Sequence, residues 1–93
     1  MTLLEFADIL ENTDKEQCFK AMFQGEKCCA LGLARLHICG PIEGRDIYKR
    51  NEEFITLIKT FFYVCNINVV TVNDVYRWDF KQIAQLIRSK HGT

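Results

Sequence analysis

The side chains best equipped for chemistry in this sequence are five cysteines, Cys18, Cys28, Cys29, Cys39 and Cys65, and one mid-chain histidine, His37. Cys18, Cys28, Cys29, His37 and Cys39 invite a zinc reading. Structural zinc sites, however, pair ligands two to four residues apart across an open turn, whereas Cys28 and Cys29 are adjacent and project to different sides of an expected helix. A nucleophilic site would need a thiolate stabilised by a base or a helix N-terminus. Cys28 and Cys29 fall in an expected first helical turn beside Lys27, and this is the one enzymatic hint. No acid is placed to orient His37, and no glycine-rich phosphate loop occurs. Glu52-Glu53 read as helix-start acids rather than a catalytic pair, and His91 as a tail residue. The expectation is no catalytic residue, no metal ligand and no cofactor, with a thiol or zinc site at Cys28 and Cys29 as the second alternative. An odd cysteine count in a chain whose start carries Glu5 and Asp8 rather than an apolar leader predicts reduced thiols used as small core residues.

Binding chemistry is more evident. Asn73-Asp74-Val75-Tyr76-Arg77-Trp78 sets two aromatic rings and an arginine just before a well-signed helix. Tyr, Trp and Arg dominate binding hot spots, and loops on rigid scaffolds carry function. The plainer reading makes Trp78 a staple on the helix and Asn73-Asp74 an ordinary turn. The division expected is a structural Trp78 with Tyr76, Arg77 and Asp74 available to a partner. A second candidate surface is Tyr48, Lys49 and Arg50, sharing a face with Arg45; its plainer reading is a solvated helix start.

The elements that must hold these residues are mostly helices. Thr2 and Glu5 form a capping box ahead of Leu3, Phe6, Ala7 and Leu10, which predicts a helix over 3–11. Asp14 and Gln17 repeat the relation before Cys18, Phe19, Met22 and Phe23, predicting a second, short amphipathic helix ended by Gly25. Cys28 to Cys39 is apolar on nearly every side, which predicts a central helix; Gly32 within it serves to let another helix come close. Gly40-Pro41 stops that helix. A fourth starts at Asp46 or Asn51 and runs to Cys65, with Asn66 as its left-handed end. Ile67 to Val75 is rich in β-branched residues and reads as extended or as a distorted turn, residues 67–72 being the candidate extended stretch. Asp79 and Gln82 cap a last helix to about Lys90.

Ninety-three residues suffice for one domain, 1–93, with one core. Twelve basic and 12 acidic residues cancel, so no global field gathers phosphates. The charge is nonetheless polarised: residues 1–26 carry six acids against two lysines, and residues 27–50 carry five bases against two acids. The longest apolar stretch, Phe61 to Cys65, is far short of the roughly 20 residues a bilayer requires. Phe61, Phe62 and Tyr63 are consecutive and cannot all face inward on one helix, which leaves a ring on the surface for a homodimer to cover.

Two stretches carry a resemblance: Glu26-Lys27-Cys28-Cys29-Ala30-Leu31-Gly32-Leu33, and Val72-Asn73-Asp74 followed by Phe80-Lys81-Gln82-Ile83-Ala84-Gln85-Leu86-Ile87. Together they resemble small phage- and prophage-encoded proteins with a Tyr-Cys-Cys-Leu-Gly-type segment, then Leu-Asn-Asp, then Ser-Phe-x-x-Ile-Ala-x-x-Ile. Here Ala30 intervenes before Leu31-Gly32, and Asp79 stands where that pattern has its serine cap. The resemblance implies a compact helical domain of viral or mobile-element origin and supplies no chemistry.

The fold expected is mainly all-α, a bundle of about five helices around Cys28–Cys39. The function expected is non-enzymatic protein binding: a phage-encoded inhibitor, acting in the host cytoplasm, of a host protein or ribonucleoprotein such as a CRISPR-type bacterial defence complex. The first alternative is a nucleic-acid binder using Arg45, Lys49, Arg50, Lys81, Arg88 and Lys90 on one face, which a steep salt dependence would reveal.

Overall fold

The computed structural model describes residues 1–40 and 49–91. Its order is α1 (Leu3–Asn12), a two-stranded hairpin of β1 (Phe23–Gln24) and β2 (Lys27–Cys28), α2 (Ala30–Cys39), α3 (Glu52–Cys65), a π-helical turn (Thr71–Val75) and α4 (Phe80–His91). The mainly helical bundle with a short extended piece stands, but two of its parts differ from the sequence reading.

Local capping chemistry sets the true helix ends. Thr2 Oγ1 accepts from the Glu5 amide at 3.1 Å while Glu5 Oε1 accepts from the Thr2 amide at 3.2 Å. Asn51 caps α3 by accepting from the Phe54 amide at 2.9 Å, and Asn66 ends it at φ 56°. Asp79 and Gln82 make the reciprocal pair at the head of α4, at 2.8 and 2.9 Å. Each pair satisfies backbone donors that a helix start leaves without partners.

The second expected helix does not form. Gln17 does not cap with Asp14, and residues 16–18 run parallel to β2: the Cys28 amide donates to the Glu16 carbonyl and the Cys18 amide to the Cys28 carbonyl, both at 3.0 Å. Gly25, at φ 63°, turns a hairpin instead of ending a helix; glycine at the first position of a two-residue turn matches the twist of the strands. Backbone pairing with β2 has displaced helical pairing within 14–24.

The extended piece therefore lies at residues 23–28 and not at 67–72. There, Asn68 Oδ1 accepts from the Val70 amide at 2.8 Å and opens a helical turn, and the Tyr76 amide reaches back five residues to the Thr71 carbonyl at 3.1 Å. Val69, Val72 and Asn73 are buried and share a helical face. Burial of that face outweighs the modest preference of β-branched residues for strands. The turn takes its place among about five helical segments in the count expected for the bundle.

The buried side chains make one contiguous cluster drawn from all four α-helices, with β2 and the π-turn contributing Cys28 and Val72. α1 packs chiefly on α4, and α3 also packs on α4. α2 is buried over its first turns, through Ala30, Gly32, Leu33, Ala34 and Arg35, and leaves His37 and Cys39 exposed. Gly32 does allow a close approach, but of the Met22 backbone and not of a helix: a Cβ there would stand 2.3 Å from the Met22 carbonyl oxygen. Among the described residues no helix is long and apolar enough to cross a membrane.

Candidate functional site: a pinned aromatic loop

The residues between the π-turn and α4 form an exposed loop whose backbone is fixed from beneath. Its anchor is Asn73, 1% exposed, with all four hydrogen-bonding positions of its side chain used. Oδ1 accepts from Gln17 Nε2 at 2.7 Å and from the Ala30 amide at 3.1 Å. Nδ2 donates to the Cys18 carbonyl at 3.1 Å and to Asp74 Oδ1 at 2.6 Å. One amide thereby joins the residue 17–18 segment, the first turn of α2 and the loop. A buried amide so completely paired is strongly held, because any departure would leave desolvated polar groups without partners.

Gln17 extends the same network to the loop itself, donating from Nε2 to the Trp78 carbonyl at 2.8 Å, while the Trp78 amide donates to the Val72 carbonyl at 3.2 Å. Arg77 lies between these fixed points at φ 56°, a left-handed conformation that non-glycine residues adopt at a cost of about 1 kcal/mol. Its guanidinium carbon sits 5.2 Å from the centre of the Phe19 ring. Tyr76, 53% exposed, and Trp78 set their rings 6.1 Å apart at 41°. Beside Trp78, a shallow hollow of about 290 Å³ is walled by Gln82, Gln85, Leu86 and Ser89 of α4.

Of the residues singled out in the sequence, Asp74, Tyr76 and Arg77 come together here, and Trp78, expected as a structural staple, is exposed beside them with its ring against Tyr76. Arg45 and Tyr48 lie outside the described residues. Lys49 is exposed, and its carbonyl accepts from Arg35. Arg50 pairs with Glu52. Gln17, Phe19 and Asn73 were not among the site residues expected from sequence, although they shape the loop. Asn73 carried one local signal, an amide directly following the β-branched run Val69 to Val72; Gln17 carried none, since its partners lie 56 and 61 residues away.

Cys18, Cys28 and Cys29 lie in or beside the segments that Asn73 ties together, while Cys39, at the end of α2, is exposed. Cys28 closes β2, and Cys29 stands before α2 as its cap, its Sγ accepting from the Gly32 amide at 3.4 Å; neither lies in a first helical turn as the sequence suggested. A helix N-terminus ordinarily favours a thiolate. Here burial outweighs it: desolvation pushes the Cys29 thiol above its ordinary value, and the Cys28 thiol up to about 11. Burial raises Cys18 and Cys65 in the same way. Among the described residues no three His, Cys, Asp or Glu side chains converge as a metal site would require.

The basic residues considered for a nucleic-acid face are partly engaged by protein groups. Arg88 donates to Asp8 and to both oxygens of Glu11, holding α4 on α1. No protein-family model matches the chain, and neither a curated protein nor a solved structure matches it.

Proposed function

We propose that this chain is a non-enzymatic binding protein whose recognition element is the Asp74–Trp78 loop. With the phage-protein resemblance of its Cys28–Leu33 and Phe80–Ile87 segments, the proposal extends to an inhibitor of a host protein or ribonucleoprotein in the bacterial cytoplasm, of which a CRISPR-type defence complex is the leading candidate. The observation that carries the reading is the combination of exposed Tyr76 and Arg77 with a buried network that holds their backbone in place. A rigid loop loses little conformational entropy on binding, and that saving appears as affinity. The Cys28 and Cys29 thiols, held neutral by burial, support an interior role for this pair and not a nucleophilic one. The exposed Phe62 and Tyr63 of α3, at 54% and 89%, favour a second copy of the chain as an additional contact.

The test is affinity capture from bacterial lysate with the wild-type protein, Tyr76→Ala and Arg77→Ala side by side, each variant first shown by circular dichroism to be folded. The expected outcome is a macromolecular partner recovered by the wild type and lost or strongly reduced with both variants. Recovery unaffected by either substitution would discard the loop as the recognition element, and substrate turnover by the purified protein would discard the non-enzymatic reading altogether.

A further inference from the structure

Resting on that reading, we infer that the partner presents a carboxylate beside a large apolar side chain, the carboxylate meeting Arg77 and the apolar group meeting Tyr76 and Trp78. The starting point is a contrast among arginines. Of those among the described residues, Arg35 donates to the Lys49 carbonyl, Arg50 to Glu52, and Arg88 to Asp8 and Glu11. Among the described residues Arg77 has no oxygen partner, and its guanidinium lies over the Phe19 ring. An arginine carries five N–H donors in a planar fork shaped for a carboxylate, and stacking on an aromatic face restrains that fork without using its donors.

Arg77 is also held where arginine is disfavoured. Its left-handed backbone would suit glycine better, yet Gln17 and Asn73 fix the chain on either side of it. A strained residue kept in place by its surroundings points to a use for its side chain.

The neighbouring groups define the rest of the ligand. Val75, Tyr76 and Trp78 are exposed within three residues of one another, and the hollow beside Trp78 has Leu86 on its wall, so an apolar group is accommodated next to the guanidinium. Phosphate-backbone binding is the poorer match. Within residues 74–79, Asp74 and Asp79 outnumber the one cation, Arg77, so the loop itself carries no surplus of positive charge for a polyanion. An isolated carboxylate needs no such surplus.

The experiment is selection of a displayed random dodecapeptide library on the immobilised full chain, counter-selected on the Arg77→Glu variant, with a dodecathymidylate strand as the nucleic-acid arm. The expected enrichment is of peptides carrying Asp or Glu within a few residues of Trp, Phe or Leu. A synthetic copy of such a peptide should bind Arg77→Glu at least about tenfold more weakly than wild type, the scale of a lost charge-assisted contact. Arg77→Gly is the second variant, because its backbone suits the left-handed conformation and the fold is kept; it should lose binding comparably, and Tyr76→Ala should weaken the same peptide. Enriched peptides that lack acids would overturn the carboxylate assignment while leaving the loop as a protein-binding surface. Absence of any enrichment would overturn the inference alone, the lysate capture deciding the broader reading. Binding of the oligonucleotide through Arg77 in the absence of peptide enrichment would overturn both.

Discussion

At the scale of single residues, three positions divide the work between stability and recognition. Asn73 makes four buried or part-buried hydrogen bonds to four different residues. Asn73→Ala would strand the Ala30 amide and the Cys18 carbonyl in the interior. At about 1–3 kcal/mol for each unsatisfied group, and with incomplete additivity, the expected loss is about 3–4 kcal/mol in urea denaturation. A loss under about 1 kcal/mol would mean that the network does not hold the loop. Arg77 behaves in the opposite way. Arg77→Gly removes a left-handed penalty of about 1 kcal/mol and forfeits an exposed cation–π contact of about 0.5–1 kcal/mol, so the thermal midpoint should stay within a few degrees of wild type. A large drop would make Arg77 a structural residue and weaken its assignment to a partner.

Cys28 supplies the pH dependence at this scale. Burial raises its folded-state pKa to about 11 from an ordinary value of 9.0. The folded chain therefore holds that proton more tightly than the unfolded chain, and stability is fully present below pH 9 and declines as pH rises toward 11. The linkage amounts to roughly 2–3 kcal/mol at most. Denaturation midpoints measured across that window should fall, and more shallowly for Cys28→Ala. A flat profile for the wild type would show that the thiol is not buried as described. Consistent with the burial of Cys18, Cys28, Cys29 and Cys65, a thiol reagent should label only Cys39 rapidly in the native protein.

At the scale of elements, the helices that begin with a side-chain cap were legible because a cap and its target lie within three residues. Thr2–Glu5 and Asp79–Gln82 form as their spacing predicts, and of the two caps considered for α3, Asn51 accepts from the Phe54 amide while Asp46 lies outside the described residues. The Asp14–Gln17 pair has the same spacing and forms no helix, because Gln17 has a buried partner elsewhere and residues 16–18 pair with β2. The valine run from Val69 to Val72 was misleading for a related reason: its turn is set by burial and by Asn68, not by intrinsic strand preference. Gly32 tests the element packing directly. Helix propensity alone predicts that Gly32→Ala stabilises α2 by about 1 kcal/mol. The added Cβ would meet the Met22 carbonyl oxygen at 2.3 Å, and backbone cannot yield cheaply. Net destabilisation of about 1–3 kcal/mol is expected; stabilisation would show that α2 and the residue 22 segment are not in contact.

At the scale of the whole molecule, α1 and α4 come from opposite parts of the sequence, and both contribute to the one buried cluster that also takes in α2, α3 and the π-turn. Loss of any element opens that cluster, so unfolding should be all-or-none. Fluorescence of Trp78, which sits in the loop, and far-ultraviolet circular dichroism, which reports the helices, should give coincident midpoints. Separate transitions would mean that the loop melts apart from the bundle and is not pre-organised for binding.

Composition, helical periodicity and capping pairs by themselves determined a mainly helical chain, the starts of α1 and α4, the exposure of at least one ring among Phe61, Phe62 and Tyr63, and the grouping of Asp74, Tyr76 and Arg77. Those features depend on residues within a turn or two of each other, where geometry follows directly from sequence spacing. Only the tertiary structure decided that residues 16–28 become a hairpin and its flanking strand, that Gly32 accommodates the Met22 backbone, and that Asn73 and Gln17 pin the loop. These depend on hydrogen bonds and contacts between distant segments, and their energy exceeds the small local preferences that sequence spacing expresses.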